Sequence, residues 1–380
     1  MRGASVNRYV GAATSGFVPD QPPSPRAPDP VYRWLAAMVE RHASALHLLA
    51  GAPPTLRVAD RMEALAEPPL TGERLGELLV PLLTSQQRDR FEESRQLDFC
   101  HTVPGLARFR LSLFRQRRTV GAVVRAFPPG IPPLGELGLP ASVASFATAR
   151  RGLVLVAGPS GSGVSTTQAA ILGLANRLRA GHILTIEDPI EYRHRHGSCL
   201  VSQQEVGTDT AGFAADFPGV LRHDADVLAV CELAGPATIA AAVSAAEDNR
   251  LVIATMRTPT AAQTVERLVD AFLPHRQAQI RRRLAAALHG AVCQRLVQRA
   301  DRSGPVVATE VLLATPSVRT LILEAKSEHL TSALAIGGAE GMHTVDQDLI
   351  ALYRDGVITF EVALAACQHS AEFQRLAAVG

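Results

Sequence analysis

The sequence predicts an α/β protein, built on a parallel sheet flanked by helices and preceded by a smaller α+β unit. Two observations carry that expectation. Beyond Arg151, short β-branched runs ("GLVLVAG", "HILTIED", "DVLAVCE", "RLVIATM") alternate with Ala/Leu-rich helical stretches, the pattern of strands joined by helical crossovers. Before it, the strand-like runs "TLRVA", "ARFRLSLF" and "GAVVRAF" are interspersed with the helical patterns "YRWLAAMVERHASALHLL" and "GERLGELLVPLL". A chain of 380 residues has length for two or three domains with sizeable cores.

In chain order, residues 1–30 are rich in Pro, Gly, Ser and Ala ("GFVPDQPPSPRAPDP") and lack an apolar period, which predicts a disordered tail. Residues 31–128 make the α+β unit. The stretch "PPGIPPLGELGLP" is dense in residues that interrupt helix and strand, so 129–140 is expected to be a linker. Residues 141–380 follow as the larger α/β unit, with a helical region from about 314 to 380.

Composition excludes several classes. A formal net charge of +2 is too small for a nucleic-acid surface. Five widely spaced cysteines with no C-x-x-C pair read as reduced structural thiols without a zinc site. No apolar segment reaches the roughly 18 residues of a membrane span and no secretion signal opens the chain, so a cytoplasmic protein without membrane insertion is expected. Lys326 is the only lysine.

The chemistry concentrates first in Gly158–Thr167, "GPSGSGVSTT", which follows a β-run and opens a helical pattern. It fits the phosphate-binding pattern G-x-x-x-x-G-K-[ST] except that Val164 stands at the lysine position. Glycines at such a turn let backbone N–H groups converge on phosphate oxygens at a helix N-terminus. Gly158, Pro159, Ser160, Gly161, Ser162, Gly163, Val164, Ser165 and Thr166 are therefore the candidate nucleotide-binding residues, and Ser165 is placed to hold Mg²⁺.

Together "GLVLVAGPSGSGVSTT", "HILTIEDPIEY", "PGLARFRLSLF" and "GGAEGMHTVDQDL" resemble the PilT/PilU-type pilus retraction ATPases of the type II/IV secretion superfamily. The resemblance spans about residues 31–365 and implies a RecA-like P-loop NTPase domain, a PAS-like N-terminal domain and a hexameric ring beneath a pilus or secretion platform protein. It implies ATP and Mg²⁺ as ligands. In "TIEDPIEY" it makes Glu191 the base that activates water, with Glu187 and Asp188 supporting metal and water. In "DADVLAVCELAG" it makes Glu232 the carboxylate near Mg²⁺. Arg110, Arg125 and Arg151 match family arginines that reach the nucleotide of a neighbouring subunit.

Departures from the family pattern are equally informative. Cys231 stands where a glycine is expected, and Arg250 and Arg257 take the two histidine positions of "NRLVIATMRT". Leu323 replaces an arginine and Ala45 an aspartate. Losing one preorganised charge costs roughly 3 to 4 kcal/mol in a transition state, or about 10²- to 10³-fold in rate. The expected protein is thus a nucleotide-binding ring subunit with weak or absent hydrolysis, assembling with itself or an intact PilT-type paralogue. Two alternatives stand beside it: an active ATPase with Arg250 or Arg257 as substitute cation, and a nucleotide-free scaffold.

Overall fold

The computed structural model describes residues 28–58, 61–127 and 130–378. Residues 1–27 of the expected tail lie outside them, but Asp29 and Pro30 do not belong to a tail. They open a helix, Asp29–Glu40, with proline in its first turn, where a missing N–H costs nothing. Trp34, Leu35 and Met38 bury one face of this helix.

The first sheet contains β1 (Ala45–Leu48), β2 (Thr55–Val58), β3 (Arg61–Ala64), β4 (Gln96–Val103), β5 (Ala107–Gln116) and β6 (Thr119–Ala126), in the order β3-β2-β1-β6-β5-β4. All its neighbouring pairs are antiparallel. The run "ASALHLL", expected to continue a helix, is instead β1. The chain leaves the helix at Arg41, turns through His42 at φ 50°, and pairs between β2 and β6. Tertiary pairing overrides the helical preference of Ala and Leu there.

The second sheet contains β7 (Gly152–Ala157), β8 (Gly181–Glu187), β9 (Cys199–Glu205), β10 (Val227–Val230), β11 (Leu251–Met256), β12 (Leu288–Gln298) and β13 (Pro305–Leu313), in the order β13-β12-β7-β11-β10-β8-β9. Only the β12–β13 hairpin is antiparallel among these pairs. β7 is buried along its whole length: Leu153 and Leu155 pack on one face, Val154 and Val156 on the other. A continuous apolar strand is what a sheet covered by helices on both sides requires. Because β7, β8, β10 and β11 run parallel, their C-terminal ends share one edge, the usual place for a ligand crevice in such sheets.

The expected linker is not featureless. A short 3₁₀ turn, Leu134–Glu136, buries Leu134 against the second sheet's core. Beyond β13, helices Pro316–Leu323, Leu330–Ile336, Val345–Arg354, Phe360–Ala366 and Ser370–Ala377 close the chain. Among the described residues, no helix is long and apolar enough to cross a membrane.

Candidate nucleotide site

A cavity of about 390 Å³ lies at the C-terminal edge of the second sheet. β7 delivers the glycine loop into it. Gly161 and Gly163 hold φ of 83° and 86°, a region costly for side-chain-bearing residues. A Cβ on Gly158 would run into Ser162 Oγ and the Gln294 carbonyl, so the loop closes only with glycine there. The helix Val164–Leu178 begins at once and aims its N-terminus at the cavity. Gln168 anchors it, donating from Nε2 to the carbonyls of Val230 and Ile253 at 3.1 and 2.9 Å. Val164 touches the cavity but also packs against the apolar core.

β8 ends in Glu187, which accepts hydrogen bonds from Thr185 Oγ1 at 2.6 Å and Gln203 Nε2 at 2.8 Å. Burial holds its carboxyl above the usual range, partly offset by those two donors. The segment after it is held from several sides. Ile190 N donates to Glu205 at 3.1 Å, and Arg108 Nη2 from β5 donates to Ile190 O at 2.6 Å. The Tyr192 hydroxyl meets Thr166 Oγ1 at 2.7 Å, joining the acidic segment to the loop helix. Glu191 is thereby presented to the cavity.

Arg110 and Arg125, paired across β5 and β6, also line this cavity. Arg110 bonds Glu191 at 3.2 Å and Asp98 at 2.6 Å. The resemblance directs these arginines to a neighbouring subunit. Within the chain they line the same cavity as its own loop, and Arg108 and Arg110 contact the 187–191 segment. β10 and β11 contribute Glu232 and Arg257, which form an ion pair at 3.1 Å. Cys231 lines the cavity beside them, and burial pushes its thiol up to about 11.

Arg151, Arg250 and Asp188 do not line this cavity. Arg151 precedes β7 and Arg250 precedes β11, so both sit at the opposite edge of the sheet from the loop. Arg151 donates to Asn249 Oδ1 at 2.7 Å. Arg250 pairs with Asp248 and donates to Ala225 O and Leu221 O, each at 3.2 Å. At about 3.3 Å per residue, the seven steps across β11 put Arg250 and Arg257 roughly 23 Å apart. Asp188, expected near the metal, is exposed and lines a separate cleft with Arg90, Glu93 and Asp98.

Sequence reasoning missed Gln294, Tyr192, Phe127, His194 and Gln168, which also border the cavity or its loop. The available signal was a polar residue inside an apolar strand, as with Gln294 in "GAVCQRLV". Burial pushes the His194 imidazole down to about 4.

Comparison with known proteins bears on what this arrangement is. The Type II/IV secretion system protein family matches residues 137–352. The chain is 41% identical over 329 residues to the type IV pilus retraction ATPase PilT of Pseudomonas aeruginosa, covering 87% of this chain and 95% of that protein. The chain belongs to the type II/IV secretion system protein family. Within this family it is PilT/PilU-like: the type IV pilus ATPase PilU of the same organism is 37% identical, with 91% of each chain covered. The crystal structure of the pilus retraction motor PilT with bound ADP superposes with a TM-score of 0.80 at 39% identity, covering 89% of this chain and 97% of that one.

Proposed function

We propose that this PilT/PilU-like chain is a nucleotide-binding subunit of a pilus-retraction or type II secretion motor, with weak ATP hydrolysis and an accessory role. One observation carries the reading: the cradle is intact while its own cation is missing. The glycine loop, Ser165, Glu191, Glu232, Arg110, Arg125 and Arg257 meet in one cavity, yet Val164 packs against the core. The related PilT structure holds ADP, which supports a nucleotide as the ligand class.

In this account the loop amides and the start of the helix Val164–Leu178 hold the phosphates. Ser165 and Glu232 both border the cavity, and their hydroxyl and carboxylate oxygens fit Mg²⁺, a hard cation that prefers oxygen donors. Mg²⁺ would supply charge neutralisation at the phosphates. Glu191 is the candidate base for the attacking water, and Arg110 must leave it before it serves as one. Glu187 supports the segment. The ring, of copies of this chain or with an intact PilT-type paralogue, would work on the cytoplasmic side of a pilus or secretion platform.

A second reading has its own support. Arg257 lies in the cavity with its guanidinium 3.1 Å from Glu232, so it is the arginine nearest to replacing the loop cation; Arg250 is not. The scaffold reading leaves the glycine cradle without a purpose. Binding of a fluorescent ATP analogue, followed by phosphate release, separates the three. Micromolar or weaker binding with little release supports the proposal. Robust release that disappears in Arg257→Ala supports the second reading, and no binding supports the scaffold.

A further inference from the structure

We infer that Gln294 of β12 is a positioning residue for the glycine loop, an inference that rests on the phosphate-binding role proposed above. Its Nε2 donates to the Ser162 carbonyl at 2.7 Å, and the side chain is buried, with 3% exposure. Val292 and Cys293 pair with Val156 and Ala157 of β7, so the Gln294 amide leaves β12 directly beneath the turn that β7 feeds.

The Ser162–Gly163 peptide is trans and therefore planar, with its C=O and N–H pointing in opposite directions. Holding the Ser162 carbonyl down against β12 turns the Gly163 N–H the other way. Among the described residues that N–H has no hydrogen-bond acceptor. It is left free for an anion.

The glycines bear the mark of the same contact. A side chain at Gly163 would begin 3.2 Å from Gln294 Nε2, and one at Gly158 would begin 2.5 Å from the Gln294 backbone oxygen. β12 approaches the loop so closely that glycine spacing and Gln294 form one device. It carries particular weight in this chain: with valine at position 164, amide direction supplies a larger share of phosphate binding than in a loop with a lysine.

The test uses the full-length chain and inorganic pyrophosphate as the probe, displacing a fluorescent ADP analogue. Gln294→Met keeps the side-chain length and removes the donor. Gln294→Asn keeps the amide but stops one methylene short. Each variant, with an unfolding temperature close to wild type, is expected to lose about tenfold in pyrophosphate affinity. In a Val164→Lys background, KM for Mg-ATP rises about tenfold while kcat changes less than twofold, the split expected when a contact is made equally in ground and transition states. Pyrophosphate affinity within twofold of wild type in either folded variant would overturn the inference. Failure of pyrophosphate to displace the analogue from wild type would instead remove the phosphate-binding reading on which it stands.

Discussion

The two edges of the parallel sheet use the same residue type for opposite purposes. At the N-terminal edge Arg319 and Arg250 serve backbone carbonyls, although Arg250 also pairs with Asp248. Arg319 donates to Ala286 O at 2.9 Å and Leu288 O at 2.8 Å, and Arg250 reaches Leu221 O and Ala225 O. Those carbonyls include the last ones of the helices Phe217–Arg222 and Pro274–Ala287, where unpaired acceptors and the negative end of the helix dipole favour a cation. At the C-terminal edge Arg110 and Arg257 face carboxylates, beside a loop whose Gly163 N–H has no acceptor among the described residues. For Arg250 and Arg257, which flank β11, strand direction decides which edge each joins. One edge holds the fold, and the other is available for chemistry.

The largest effect that tests this division concerns Glu191. Once hydrolysis is restored by Val164→Lys, adding Glu191→Gln is expected to lower phosphate release by roughly 10²- to 10⁴-fold, the range for loss of a general base, with the fold unchanged. A fall of less than tenfold would mean that another group activates the water. Glu187, whose carboxyl burial raises, is then the next to test.

The arginines that flank β11 give a matched pair. Arg257→Ala is expected to weaken Mg-ATP binding about tenfold, since a hydrogen bond from a charged group is worth roughly 1.5 to 3 kcal/mol, while thermal unfolding stays unchanged. Arg250→Ala is expected to do the reverse. It leaves two carbonyls without their donor, costing roughly 1 to 3 kcal/mol of stability, and nucleotide affinity does not move. Titration and melting of both variants check this, and equal effects from the two would erase the distinction between the edges.

The smallest effect is at Cys231. With its thiol pushed up to about 11 by burial, the thiolate is scarce at neutral pH, so alkylation by iodoacetamide is slow at pH 7. Its rate should climb about tenfold per pH unit up to pH 10, because the thiolate is the nucleophile. Saturating Mg-ATP should slow it further, since Cys231 borders the cavity. Peptide mapping by mass spectrometry follows the site, and alkylation already fast at pH 7 would contradict a buried neutral thiol.

Much of this architecture was legible in the sequence, for physical reasons that also mark where legibility ended. β7, β8, β10 and β11 are compact β-branched runs, each followed by loop residues that carry the chemistry, so the crevice at their C-terminal ends could be anticipated. The edge assignment of Arg151 and Arg250 was available too, because both precede a strand. Matching Arg250 to a family histidine position obscured that simple order. By contrast, "ASALHLL" carries no local sign of β1, whose pairing partners lie up to about 80 residues away at Val123 and Val124. The packing of Arg110 onto Glu191, 81 residues apart, depends on how two sheets meet. No spacing in a linear sequence encodes that.

The central claim is that the site lacks one charge and little else. Phosphate release by wild type and by Val164→Lys, at saturating Mg-ATP, tests it most directly. Almost no turnover is expected for wild type, and a rise of about 10²- to 10³-fold for the variant, the value of one preorganised stabilising charge. Wild-type turnover already comparable to that of Val164→Lys would contradict it.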